Sequence, residues 1–407
     1  MFSTASAAAP KKPEPTELEL DPKYDHYDFP TTSIEEREGH PGFVTPTQQA
    51  QVHQLRMMLE SENFKGKLDT LTLLRFLRAR KFDVVAAKKM IQESQEWRQA
   101  MTIVEQEDKQ LAGKPRLLSK ANKDPLKNPP PQPLNIDEEV KIWDHDGKFK
   151  RVLSDYYTQF YHKTDKDGRP CYFEKLGGVD FAALEEKEYT SDKMILNLAV
   201  EYERMVDPRL PACSRKAGRL VETSCSVLDI AGVSILRPGK IYSYIRQTSA
   251  MSGNNYPERM GKMFVINANR WQKGAWTIVQ SFLDPVTASK INVLTGPEAK
   301  TELPKHIPIE NLPASFYGKC QCEGGCELSD AGPWQDPEFR RPAWWEKNDA
   351  ATTIENKPTE IEKATADGEA PIVEDTKIES KPIESVEGAG APTSSEAPVT
   401  EETKIPA

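Results

Sequence analysis

The chain predicts an α/β protein: a mostly parallel sheet with crossover helices, preceded by a helical module and followed by an acidic tail. Three observations lead there. Beyond residue 151, short β-branched or aromatic runs alternate with helical patterns of 10 to 15 residues, the signature of parallel strands joined by crossovers. Between residues 45 and 101, apolar residues recur at helical spacing behind recognisable caps. From residue 346 to 407, 15 Asp and Glu stand against 6 Lys and Arg, a surplus equal to the whole formal net charge of −9.

That tail has no aromatic residue and is rich in Glu, Pro, Thr and Ala, so it cannot bury enough apolar surface to offset its ordering entropy. It is expected to be disordered. With 37 % hydrophobic residues and 32 Pro in 407 residues, the globular part is expected to be nearer 300 residues. Outside the tail the charges balance, so bulk charge does not argue for nucleic acid binding and leaves only local basic patches open. The first 15 residues lack the apolar core of a signal peptide, and no window approaches the roughly 18 apolar residues of a membrane span. A cytosolic chain is expected, and its six cysteines should be thiols.

Residues 1–44 read as a polar extension. Thr45, Pro46 and Gln48 then supply an N-cap, a first-turn proline and a capping box ahead of Val52, Leu55 and Leu59. Asp69 caps a second helix through Leu73, Leu74 and Leu77. Asp83 caps a third, carrying Ala87, Met90, Ile91, Ser94 and Trp97. These make up the helical module, residues 45–101. Residues 102–150 lose periodicity around Pro129-Pro130-Pro131 and read as an inserted linker.

The sheet domain, 151–335, is expected to hold strands at 171–176, 225–230, 263–267 and 292–294. Its crossover helices are expected at 191–206, 238–251 and 271–283. The helix at 191–206 places Met194, Leu198, Tyr202 and Met205 on one face, so Tyr202 points inward. In the strand after Thr223, Ser224 and Ser226 share a face by the period of two. Asp284-Pro285-Val286-Thr287-Ala288-Ser289-Lys290 reads either as an ordinary capped turn or as an anion-binding helix start. The basic run Arg75, Arg78, Arg80, Lys81 at the end of the second helix either complements the helix dipole in water or meets a phosphate.

Several chemistries are tested and fail. No nucleophile elbow, Walker loop or dinucleotide fingerprint occurs, which argues against an enzyme. Lys163-Thr164-Asp165-Lys166-Asp167-Gly168 imitates a calcium loop, but Lys163 occupies the first ligand position, so a β-turn is expected. Cys320-x-Cys322-x3-Cys326 invites a zinc reading, yet no fourth ligand lies close by in sequence and the intervening Glu-Gly-Gly reads as a flexible loop. The six histidines are dispersed. No metal and no cofactor are expected.

Four separated stretches carry a resemblance: Leu74-Arg75-Phe76-Leu77-Arg78-Ala79-Arg80-Lys81-Phe82-Asp83, His162 to Pro170, Arg209 to Arg215, and Tyr256-Pro257-Glu258-Arg259-Met260 through to Lys290-Ile291. In this order they resemble the fungal phosphatidylinositol/phosphatidylcholine transfer proteins of the CRAL-TRIO lipid-binding family. The resemblance implies a sheet flooring an apolar lipid pocket closed by a mobile gate. It assigns the phosphatidylinositol headgroup to Arg80, Lys81, Glu258, Thr287 and Lys290. The phosphatidylcholine headgroup falls to Tyr161, Tyr172, Tyr202, Ser224, Ser226 and Arg259.

The gate is expected in the helix at 238–251, with Ile241, Tyr244, Ile245 and Met251 facing the chains or a bilayer. The resemblance further implies a monomeric carrier in the cytoplasm, transiently on Golgi membranes, exchanging the two phospholipids and presenting phosphatidylinositol to a lipid kinase in support of phosphoinositide synthesis and secretory traffic. A binder of a sterol, tocopherol-like lipid or haem, and an adaptor acting through the acidic tail, are the alternatives. The physics fits a carrier: at about 0.8 kcal/mol per exposed methylene, two acyl chains cost on the order of 20 kcal/mol in water and must be enclosed.

Overall fold

Strand propensity in four β-branched or aromatic runs builds the centre of the molecule. The computed structural model describes residues 13–100, 103–104, 116–117, 136–144, 147–233, 240–280 and 285–346. Strands β1 (Gln159–Thr164), β2 (Pro170–Lys175), β3 (Ser224–Asp229), β4 (Met260–Ile266) and β5 (Ile291–Val293) lie side by side in chain order. The β1–β2 pair is antiparallel and the other three pairs are parallel. The sheet is therefore mixed and mostly parallel, as expected. β1 was not anticipated; it precedes the expected turn, where Asp165 Oδ1 accepts from the N–H groups of Asp167 and Arg169 at 3.0 and 2.8 Å.

The helical module forms as its caps dictate. α1 (Pro46–Ser61) carries the full Thr45/Gln48 capping box, and α2 (Thr70–Ala79) is capped by Asp69. Asp83 accepts from Ala86 N–H at 2.9 Å at the start of α3 (Val84–Ala100). Leu55, Leu59, Leu73, Leu74, Leu77 and Ala87 close a core of their own with no exposed surface.

The polar stretch before α1 is anchored to the helical module at several points, because its side chains satisfy donors that the helices leave free. Asp25 and the Tyr27 hydroxyl accept from the first-turn N–H groups of α2 at 2.7 and 3.1 Å, and Phe43 and Val44 are buried. Within the aperiodic stretch 102–150 lie a two-residue ladder pairing Ile103–Val104 with Arg116–Leu117 and a helix α4 (Ile136–Ile142), with α5 (Lys148–Ser154) beginning at its end. Ile136 and Val140 of α4 are buried.

The chain then forms α6 (Phe181–Glu186), α7 (Ser191–Arg204), α8 (Leu210–Ala217), α9 (Lys240–Asn255), α10 (Arg270–Gln280), α11 (Pro285–Lys290), α12 (Gly296–His306) and α13 (Cys326–Ser329). No described helix is long and apolar enough to cross a membrane. Residues 238–239 of the expected gate helix, Asp284 of the expected capped turn and the tail from residue 347 lie outside the described residues.

The two faces of the sheet differ sharply. On one, Phe173, Val227 and Phe264 face α12 and the segment after it, packed with Phe160, Leu303, Ile307, Leu312 and Phe316 into a core with almost no accessible surface. On the other, the register aligns Tyr161, Tyr172, Ser226, Met263 and Ile291 in one row and Gln159, Glu174, Leu228, Val265 and Val293 in the next. From β2 to β5 every member of both rows keeps accessible surface, although they include the central strands of the domain. Among the described residues, side chains do not fill the space over this face.

Candidate functional site

The unfilled face is floored by tyrosines, one serine and one carboxyl. Strand alternation sends Tyr172 and Glu174 to the same side of β2. The rings of Tyr161 and Tyr172 lie 5.1 Å apart, and the Tyr172 hydroxyl donates to Gln159 Oε1 at 3.1 Å. Tyr202, on α7, stacks on Tyr256 at 4.7 Å. The Arg209 guanidinium sits 4.6 Å over the Tyr161 ring. Burial, with Tyr202 close by, holds the Tyr161 hydroxyl well above the usual phenol range.

Among the described residues, no cation stands against Glu174. Burial pushes its carboxyl up to about 7, while a hydrogen bond from the Tyr157 hydroxyl pulls the other way. Ser226 stands next to Tyr172 in register, and its hydroxyl makes no hydrogen bond to another described residue. Ser224 is different: it is buried, a register shift separates it from Cys225, and its hydroxyl donates to the Arg259 carbonyl at 3.3 Å.

Over this face lies α9. Tyr244 packs edge-on against Tyr157 at 5.8 Å and lies near Glu174 and Tyr202. Ile241, Tyr244 and Met251 join the buried cluster formed with Met194, Val200 and Tyr256, and Ile245 is half-buried. The outward residues Ser243, Arg246, Gln247 and Ser249 are exposed and polar. Tyr244 and Met251 thus face inward in this structure.

The anionic end is assembled from distant segments. Lys290 Nζ lies 3.9 Å from Glu258 Oε2, and Thr287 sits one turn before Lys290 on α11. Burial lowers the Lys290 ammonium despite Glu258. Glu258 holds a left-handed φ of 58°, between Pro257, whose carbonyl accepts from Arg75 at 3.3 Å, and the half-buried Arg259.

Behind this pair are three arginines around one carboxylate. Arg78 donates to Glu222 Oε2 at 3.1 Å, Arg259 donates to the Glu222 carbonyl at 2.9 Å, and Arg75 is 7 % exposed. Burial pulls the guanidinium pKa values of Arg75 and Arg259 down. The water-facing alternative for the α2 run therefore fails at Arg75 and Arg78: both turn into the protein, where Pro257 and Glu222 receive them. Arg259 does not pair with its neighbour Glu258.

Arg80 and Lys81 end α2 in a tight corner, Lys81 with φ 51° and its side chain exposed. No described contact joins either residue to Glu258 or Lys290. The strap at 35–40 packs on the end of α2: the Gly39 carbonyl accepts from Arg78 at 3.4 Å and Gly39 lies against the Phe82 ring, while Glu35, Arg37 and Arg78 contribute to the field at Lys290. Sequence reasoning missed this strap because a polar stretch far from the motifs carries no periodicity. It missed Glu222, Tyr157 and Glu174 as well.

The comparisons agree with this architecture. Residues 154–318 match the CRAL/TRIO domain and residues 49–93 the CRAL/TRIO N-terminal domain. The chain is 41 % identical over 320 residues to Sec14 cytosolic factor of Schizosaccharomyces pombe, covering 79 % of this chain and 97 % of that protein. It is 44 % identical over 307 residues to SEC14 cytosolic factor of Candida glabrata, covering 75 % and 89 %. It is 34 % identical over 275 residues to the phosphatidylinositol/phosphatidylcholine transfer protein SFH12 of Arabidopsis thaliana, covering 66 % of this chain and 43 % of that one. With both domain matches falling in order on the helical module and the five-stranded sheet, the chain belongs to the CRAL-TRIO family.

Proposed function

We propose that this protein exchanges phosphatidylinositol and phosphatidylcholine between membranes by enclosing one lipid at a time. The observation that carries this reading is the pair of half-open residue rows across the sheet: a floor of apolar side chains with tyrosines at one end, roofed by helices and not filled by the described side chains. Two acyl chains supply the missing apolar volume. A quaternary ammonium suits Tyr161, Tyr172 and Tyr202, whose ring faces attract cations, with Ser226 and Glu174 beside them. Ser224 and Arg259 would act at the edge of that subsite. An inositol phosphate suits Lys290 and Thr287, with Glu258 accepting from ring hydroxyls and Arg80 and Lys81 closing in from the α2 corner.

In this reading α9 is the gate. Ile241, Tyr244, Ile245 and Met251 leave the lipid and meet a bilayer when it swings out. The carrier is a monomer without catalytic chemistry. It works in the cytoplasm with transient stops on Golgi membranes, where it offers phosphatidylinositol to a lipid kinase.

Lipid extraction and mass spectrometry of the purified protein should find both phospholipids, and vesicle assays should show transfer of both. Lys81→Ala combined with Lys290→Ala should abolish phosphatidylinositol transfer and largely spare phosphatidylcholine transfer. Equal loss of both would sink the two-site assignment, and recovery of a sterol or haem instead would overturn the substrate class. Hydrogen exchange should show α9 opening in the presence of membranes while the sheet stays protected; equal protection would count against the gate.

A further inference from the structure

On the filled side of the sheet, four metal-ligating atoms converge. His162 on β1 and Cys320, Cys322 and Cys326 in the segment covering that side bring one ligand atom each within 4.8 Å of all the others. We infer that these residues form a closed Cys3His site for a structural zinc ion.

The distances carry the argument. A tetrahedral zinc with bonds of about 2.3 Å to sulfur and 2.0–2.1 Å to nitrogen needs sulfur atoms about 3.8 Å apart and a sulfur-to-nitrogen distance of about 3.5 Å. Cys320 Sγ and Cys322 Sγ lie 3.8 Å apart, and His162 Nε2 is 3.3 Å from Cys320 Sγ and 4.0 Å from Cys322 Sγ. The sulfurs are too far apart for a disulfide. Three thiolates and one imidazole make a soft, four-coordinate set that leaves no open position for substrate, which selects zinc in a structural role.

The surroundings are those of a ligand set. Ser329 Oγ lies 3.2 Å from His162 Nδ1, orienting the ring so that Nε2 faces the sulfurs. Lys163 Nζ donates to Cys320 Sγ at 3.2 Å and to the Glu310 carbonyl at 3.0 Å, placing a cation where three thiolates and a divalent ion leave one negative charge. Gly324 and Gly325, with φ of 72° and 94°, turn the chain from Cys322 to Cys326 in conformations that side chains resist. The expected flexible loop is instead a shaped turn, with Cys320 and Cys326 buried. The fourth ligand escaped the sequence because it stands 158 residues before Cys320, in the strand that was not anticipated.

Such an ion would fasten the segment after α12 to β1 over Phe160 and Phe316, on the side away from the tyrosines. It does not depend on which lipid the protein carries. The test uses the full chain, purified without a metal-affinity step. Elemental analysis should find one zinc per chain, released by a mercurial thiol reagent, with a lowered melting temperature after removal.

Cobalt(II) added to the stripped protein should give thiolate charge-transfer and tetrahedral d–d bands, absent in Cys322→Ser. Wild-type protein without those bands would overturn the site even if Cys322→Ser failed to fold. So would a disulfide among Cys320, Cys322 and Cys326 found by mass spectrometry of the protein kept from air. Lipid selectivity should be the same with and without the ion.

Discussion

The same three strands, β2, β3 and β4, present two faces built on opposite principles. Phe173, Val227 and Phe264 are wholly buried and meet aromatic and aliphatic partners at packing distance, with Phe173 lying 5.4 Å from Phe160 and 5.0 Å from Phe316. The alternating residues Tyr172, Ser226, Leu228, Met263 and Val265 stop short of filling the space above them. Packing that would have stabilised the empty protein is withheld on one side by the described side chains, and a lipid bound there, as proposed, would complete it. A carrier needs this asymmetry: a floor that cannot relax and a roof that can.

The largest effect should come from the filled face. Phe173→Ala removes a ring with no exposed surface and leaves a cavity that its aromatic neighbours cannot close, so it should destabilise the protein by about 3–5 kcal/mol in denaturant titration. A loss below about 1 kcal/mol would mean that this face is not the rigid one.

Glu174 gives the next test. Its folded-state pKa of about 7 lies above the usual carboxyl value, so on raising the pH the unfolded chain gives up its proton first. Stability contributed by the neutral carboxyl is complete below about pH 4.5, falls as pH rises to about 7, and is then gone, a total of up to about 3 kcal/mol. Glu174→Gln should therefore flatten the melting temperature between these limits and raise it at pH 8. An unchanged pH profile would show that Glu174 already ionises freely and that its face is wet.

How far the sequence reaches differs between these faces and the anionic end. Four of the five sheet strands and the three expected crossover helices were legible because period-two and period-3.6 patterns need only local residues, and their observed bounds depart from the expected ones by at most four residues. The tyrosine group was legible through Tyr202, which helical spacing alone turned inward, and through the resemblance. Glu174, Tyr157, Glu222 and the strap at 35–40 were not. Each acts through a partner on another element, from 17 residues away for Tyr157 and Glu174 to 144 for Arg78 and Glu222, and a polar residue with a partner outside its own element leaves no periodic trace. The expectation for Arg75 and Arg78 failed likewise, since a cation at a helix end faces water unless something buried receives it.

The smallest and most discriminating effect should come from Ser226. Its hydroxyl contributes no hydrogen bond to the described protein, so Ser226→Ala should change stability by no more than about 0.5 kcal/mol. If that hydroxyl bonds the phosphatidylcholine headgroup, its loss costs about 1 kcal/mol of lipid binding. That is roughly a fivefold fall in phosphatidylcholine transfer, with phosphatidylinositol transfer unchanged. The two measurements together separate the faces: Phe173 should affect stability first and transfer only through it, while Ser226 should affect one lipid alone. Should Ser226→Ala destabilise the fold as a core substitution does, the open face would be packed after all, and the space assigned to the acyl chains would have to lie elsewhere.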